Sequence, residues 1–129
     1  NNTMLTYEES ENILTENLSD MELICDYLYE LEFTTVYWWR TQPQTLSYSH
    51  SKELEIPDLV KEYFDRLYEE GYSSIVKDGD SISFTLISSL DSSCGFIYCE
   101  TEPSMNVGGN LEIEELYCDN WYYFKHIAD

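Results

Sequence analysis

Hydrophobic residues recur at helical spacing in two parts of the chain. An apolar stripe over residues 21–31 predicts a helix, and Ser19 is placed to begin its capping box. A shorter helix is expected before it, over residues 7–17. The sharpest stripe lies between Pro57, which suits the start of a helix, and Gly71, which suits a left-handed residue just beyond its end. The pattern therefore predicts two to three helices.

Elsewhere the chain alternates between apolar and polar positions, or is rich in β-branched and aromatic residues, as strands are. Asp78-Gly79 is typical of a hairpin turn, of type I′ by its sequence, and Asp119-Asn120 of a second turn. We therefore predict an α+β fold, an antiparallel sheet of about five to six strands flanked by the helices, in one domain spanning residues 1–129. The segments with strand character are 34–40, 45–50, 74–77, 81–88, 95–100, 111–117 and 121–127.

The net charge of the chain is its most informative property for predicting function. Twenty-six acidic residues face six basic ones, which gives a formal net charge of −20, and every charged residue before Arg40 is acidic. The chain is nevertheless 43% hydrophobic and 16% aromatic, which is too apolar for a disordered acidic tail. Such a field repels phosphates and anionic membranes, and it attracts cationic protein surfaces. It therefore predicts a basic protein partner, with no direct nucleic acid and no membrane.

The four cysteines are Cys25, Cys94, Cys99 and Cys118, and neither an export signal nor an apolar membrane span is visible. We therefore expect reduced thiols and a cytoplasmic protein. Cys94 and Cys99 are the only cysteine pair near metal-ligand spacing, and on one strand an odd separation places them on opposite faces. No nucleophile elbow or phosphate-binding glycine loop is present either. We expect no catalytic residues, no metal site and no cofactor.

Carboxylates and aromatic residues remain as candidates for binding the partner. Trp38 and Trp39 are adjacent in a predicted strand, so one of them should face the core and the other the surface. Exposed aromatic side chains among carboxylates are typical of interface anchors. Glu112 and Glu114 should share one face of a strand, with Ile113 on the other. The predicted partner-binding residues are Trp38, Asp78, Asp80, Glu100, Glu102, Glu112, Glu114, Glu115, Asp119, Trp121 and Tyr123.

Four segments between residues 56 and 124 carry a resemblance to a known family: Ile56–Val60, Leu67–Ile75, Ser88–Ser93 and Asp119–Phe124. In these segments the chain resembles the immunity proteins of bacterial polymorphic toxin and contact-dependent inhibition systems. The resemblance implies an antidote, not an enzyme, that binds a toxin domain delivered by a neighbouring cell, often a nuclease. Such an antidote is expected to be acidic and to cover the active site of the toxin or a surface beside it.

Two other functions stay open on the sequence. A nucleic-acid mimic that inhibits a DNA-processing complex, such as a phage anti-restriction or anti-CRISPR protein, requires carboxylates in two rows at phosphate-like spacing. An enzyme with a carboxylate site requires a concave pocket that gathers several acids with raised pKa values. The sequence leaves the oligomeric state, the identity of the partner and the choice between RNase and DNase open.

Overall fold

The computed structural model describes residues 4–128 and has the predicted α+β architecture, with two helices and one antiparallel sheet. The helices are α1 (Tyr7–Glu30) and α2 (Asp58–Glu70). Before α2 come the strands β1 (Thr35–Trp39), β2 (Thr45–Tyr48) and β3 (Lys52–Glu55); after it come β4 (Ser74–Asp78), β5 (Ser81–Ser88), β6 (Ser92–Tyr98), β7 (Asn110–Glu115) and β8 (Trp121–Ile127).

The strands form a single open sheet in the order β3-β2-β1-β4-β5-β6-β8-β7. Alternate residues such as Val36, Trp38 and Ile75 join the main core with the buried side chains of both helices. On the opposite face a smaller cluster forms around Ile97 and Phe124. The two helices therefore cover one face of the sheet and leave much of the other without a helical layer.

The prediction of five to six strands is wrong, because the sheet has eight. All seven segments of strand character join it, and the additional strand is β3. Its sequence is polar because it is an edge strand with three exposed residues. The preceding strand ends at Tyr48, two residues earlier than expected. Residues 49–51 all have positive φ values, from 40° to 73°, and form the connecting turn.

The first helical region is one continuous helix of 24 residues, not two helices separated near Ser19. Asn17 is buried inside it, where its side-chain oxygen accepts a hydrogen bond of 2.6 Å from the hydroxyl of Tyr72. The capping box lies at Thr6 instead, whose hydroxyl accepts from Glu9 N while its own N–H donates to the carboxylate of Glu9. Ser19 is exposed within the helix.

The helix end predicted at Gly71 and the hairpin turn predicted at Asp78-Gly79 are both present, but the hairpin turn is of a different type from the one predicted. Gly71 follows α2 with a φ of +102°, and the N–H groups of Gly71 and Tyr72 donate to the carbonyls of Tyr68 and Leu67. This pattern is a Schellman motif. Between β4 and β5 the two-residue loop is Gly79–Asp80, and only Gly79 has a positive φ. That combination is typical of a type II′ turn, not type I′.

Neither helix of residues 4–128 combines the length and hydrophobicity that a membrane span requires.

Gly95 allows β5 and β6 to approach each other closely, and this contact gives a stability prediction. A Cβ atom at Gly95 would lie 1.9 Å from the carbonyl oxygen of Phe84, whereas one at Gly108 would meet no atom within 4 Å. We expect Gly95→Ala to lower the free energy of unfolding by about 1–3 kcal/mol, because the backbone must shift. Gly108→Ala should change it by less than about 0.5 kcal/mol. Urea denaturation of the two variants tests this, and equal effects would contradict the packing described.

Candidate functional site

Two of the six basic residues, Lys77 and Arg40, donate hydrogen bonds to backbone carbonyls and form no ion pair with an acid of the described chain. Neither helix has a basic residue in its last turn. From β4, the buried ammonium group of Lys77 donates to the carbonyls of Leu28 and Leu31 at 3.0 and 3.1 Å, and so caps the end of α1. Arg40 donates to the carbonyls of Tyr68 and Tyr72, at 2.7 and 3.1 Å, at the end of α2. Both cations therefore add donors at the C-terminal end of a helix, where backbone carbonyls exceed the available backbone N–H groups.

Ion pairs contribute little neutralisation. Within residues 4–128, ion pairs form only at Arg66, which contacts Asp20 at 2.8 Å and Glu62 at 2.6 Å. Among the acidic residues from 4 to 128, Asp20 and Glu62 are the two that form an ion pair. The remaining carboxylates of the described chain contribute their full charge to the surface field.

One cleft concentrates this charge. It lies between the C-terminal half of α1 and the end of the sheet where β6 finishes, and it has a volume of about 660 Å³. Glu22 and Asp26, one helical turn apart, line it from α1; Asp80 comes from the β4–β5 turn and Glu100 from the segment after β6. No Lys, Arg or His is among the lining residues. We call these four carboxylates and their surroundings the acidic cleft.

Two tyrosines hold the acidic cleft together. Tyr29 of α1 donates its hydroxyl to the carbonyl of Asp80 at 2.6 Å, and Tyr98 of β6 donates to the carboxylate of Glu100 at 2.7 Å. Their rings meet edge to face with centroids 6.2 Å apart. The helix, the turn and the strand end are therefore fixed relative to one another, and an aromatic surface lies among the acids.

The pKa values of three other groups in the cleft are raised by burial and by the neighbouring carboxylates. The hydrogen bond to Glu100, followed by burial, raises the pKa of Tyr98 to about 12. Burial raises the pKa of Tyr29 as well. The pKa of the Cys25 thiol is raised, first by burial and then by Asp26 and Glu22. A thiol of this kind is a poor nucleophile, because the reactive form is the thiolate.

The acids surround the cleft and do not converge on a point. In the part of the chain from residue 4 to residue 128, no group of three or more His, Cys, Asp or Glu side chains is arranged to hold a metal ion. The four cysteines are free thiols. Cys94 packs in the main core and Cys99 in the smaller cluster on the other face, as their odd spacing predicts.

The structure distributes the predicted acids among several places. Asp80 and Glu100 lie in the acidic cleft, whereas Asp78 points to the opposite face of the sheet. Glu112 and Glu114 are exposed on the edge strand β7 with Ile113 half-buried, which confirms the predicted alternation. The other predicted acids, Glu102, Glu115 and Asp119, are exposed on the loop after β6, at the end of β7 and in the turn that follows.

The predicted aromatic anchors are wrong, because all three are core residues. Trp38, Trp121 and Tyr123 are each 1% exposed. Trp38 and Trp39 do lie on opposite faces of β1, and Trp39 is the exposed one, at 42%. Trp38 has the same parity as Val36, which is buried against the helices, so the alternation along the strand identified the outward tryptophan.

Several residues of the acidic cleft did not stand out as site residues in the sequence. Glu22 and Asp26 belong to the acidic run along α1, but the run itself gives no reason to select them. Tyr29 and Tyr98 join the cleft only through contacts between residues far apart in the chain. The spacing of Glu22, Asp26 and Tyr29 on one helix face was the one local signal available.

No protein-family model, curated protein or solved structure matches this chain.

The hydrogen bond between Tyr98 and Glu100 predicts a pH dependence. An unfolded tyrosine has a pKa near 10.0, and the folded value is about 12, so the folded protein holds this proton more tightly. The stability that Tyr98 contributes is therefore complete below pH 10 and is lost as the pH rises from 10 to about 12. Tyr98→Phe removes this ionisation. We expect the variant to lose less stability than the wild-type protein over that range in urea denaturation; parallel losses would contradict the assignment.

Proposed function

We propose that this protein binds a basic protein partner through the acidic cleft and thereby neutralises it. The observation that carries the proposal is that four carboxylates from three separate elements line one cleft, and that no cation is among its lining residues. A lysine or arginine of the partner would supply the missing positive charge. The resemblance of residues 56–124 to immunity proteins supports a toxin domain, and in particular a nuclease, as that partner.

The cleft offers a cation two kinds of contact. A guanidinium or ammonium group that enters it would meet carboxylates, with charge-assisted hydrogen bonds worth about 1.5–3 kcal/mol each. It would also lie against the rings of Tyr29 and Tyr98, where cation–π attraction contributes about 0.5–2 kcal/mol. The rest of the negative surface would speed the encounter by electrostatic steering. A nuclease whose basic groove is occupied in this way cannot bind its nucleic acid.

Binding accounts for the cleft better than catalysis does. Its two tyrosine hydroxyls already donate to acceptors, and its one thiol, Cys25, is buried with a raised pKa. No histidine lines it. Hydrolysis by a hydroxyl or thiol nucleophile would need a base placed beside that nucleophile, and a metal-assisted mechanism would need a cluster of ligands that residues 4–128 do not contain. We therefore propose that the protein is not an enzyme and acts by stoichiometric binding.

The test begins with capture of the partner. The full chain is immobilised, lysate of the source organism is applied at low salt, and proteins that elute at high salt are identified by mass spectrometry. We expect one basic protein in stoichiometric amount, whose nuclease activity falls in proportion to the protein added. Capture of a large DNA-processing complex would favour the mimic, and the absence of any basic partner would contradict the proposal.

Two charge-matched variants then test the site. One replaces Glu22, Asp26, Asp80 and Glu100 by their amides; the control replaces Glu53, Glu55, Asp65 and Glu69, which are exposed on β3 and α2. Each variant loses four of its negative charges, so both change from −20 to −16. We expect the cleft variant to bind the captured partner at least about 100-fold more weakly, which is about 2.8 kcal/mol. The control should lose less than about tenfold; equal losses would mean that net charge, not the cleft, determines binding.

A further inference from the structure

The face of the sheet opposite the helices contains a groove that the acidic cleft does not explain. Residues 101–109 cross part of this face, where Met105 packs on the cluster around Ile97 and Phe124, and the N–H of Ser104 donates to Ser81. Beside this crossing the sheet is uncovered. The space between the crossing segment and β1 has a volume of about 570 Å³, which is within the roughly 300–1,000 Å³ of small-molecule sites.

Short hydroxyl side chains form the floor of this groove. Ser74 of β4 lies opposite Thr85 of β5, and Ser83, opposite Val76, is on the same face. Because these side chains are short, the sheet surface is recessed between its two walls. Hydroxyl groups both donate and accept hydrogen bonds, so the floor can pair with a ligand that presents donors and acceptors together.

An aromatic pair forms one wall. Tyr37 and Trp39, two residues apart on β1, stack with ring centroids 5.4 Å apart and an interplanar angle of 10°. Trp39 is 42% exposed although the other two tryptophans are buried. Because the two rings stack on each other, each has one free face, and the free face of the exposed Trp39 offers a flat apolar surface beside the hydroxyl floor. Met105 and Val107 border the groove on the other side.

The electrostatics of the groove differ from those of the rest of the surface. Asp78 is the only charged residue among those that line it. The net charge of −20 disfavours an anionic ligand, and a cationic ligand would find four carboxylates in the acidic cleft. A purely apolar ligand would leave the hydroxyl floor without partners. The lining therefore selects a neutral ligand that has both hydroxyl groups and a flat apolar face.

We propose that this groove binds a short neutral oligosaccharide. The apolar C–H face of a pyranose ring stacks on the free face of Trp39, which Tyr37 supports from the other side, and the sugar hydroxyls hydrogen-bond to Ser74, Ser83 and Thr85. The carboxylate of Asp78 accepts from a further hydroxyl at the end of the groove. This site is on the opposite face from the helices and does not depend on the proposed binding of a basic partner.

The experiment titrates the purified full chain with neutral di- to tetrasaccharides of glucose, galactose, mannose or N-acetylglucosamine, up to about 10 mM. Tryptophan fluorescence reports binding, because Trp39 is the exposed tryptophan. We expect at least one saccharide to shift the emission and to bind by calorimetry, with little dependence on salt. Trp39→Ala should weaken that binding about tenfold or more, and Ser83→Ala several-fold.

Leu59→Ala is the control, since Leu59 is an apolar residue exposed on α2, at 87% against 42% for Trp39, and is not among the residues that line the groove. It should leave saccharide binding unchanged. Failure of every saccharide to bind, or binding that Trp39→Ala and Ser83→Ala leave intact, would overturn the proposal. If no saccharide binds and Trp39→Ala instead weakens capture of the basic partner, the groove is part of a protein interface. The charge-matched cleft variants should bind saccharide normally, which separates this proposal from the proposed function.

Discussion

A cation from the sheet side donates to backbone carbonyls at the end of each helix, and this placement is the constraint on which the surface charge depends. Lys77 and Arg40 hold the C-termini of α1 and α2 through backbone acceptors. A cation placed in this way fixes a helix end without pairing a carboxylate. The buried contact between Asn17 and Tyr72 joins α1 to the segment that follows α2. The layers are therefore held firmly while most acids of the described chain have no ion-pair partner.

The one-sided packing of the helices gives the molecule two surfaces of different chemistry. On the helical side, α1 meets the end of the sheet and its carboxylates combine with Asp80 and Glu100 in the acidic cleft. On the other side, the outward residues of β1 and β5 that line the groove are aromatic or carry hydroxyl groups, and β4 contributes Ser74, Val76 and Asp78. The β4–β5 turn separates the two, since Asp78 lies on one face and Asp80 on the other. A charged partner and a neutral ligand would thus not compete for one site.

Features set by local sequence were predictable, and those set by distant contacts were not. The helix ending at Gly71, the turn at Gly79 and the alternation of Glu112 with Ile113 each follow from neighbouring residues. The continuity of α1 through Asn17 depends on Tyr72, 55 residues away. The acidic cleft unites residues from Glu22 to Glu100, which no local pattern connects. Strand β3 is not evident from the sequence, because an exposed edge strand can be polar. Trp38 was predicted to bind the partner, although its alternation with the apolar Val36 along β1 favours Trp39 as the outward tryptophan.

The central claim is that the acidic cleft and its field bind a basic partner. The most direct test mixes the protein with the captured partner in a stopped-flow instrument and measures the association rate constant as a function of ionic strength. The Debye length falls from about 30 Å at 0.01 M to about 8 Å at 0.15 M salt. Steering by unneutralised carboxylates predicts that the association rate falls at least about tenfold over this range, with a smaller change in dissociation. An association rate that does not change with salt would contradict the account.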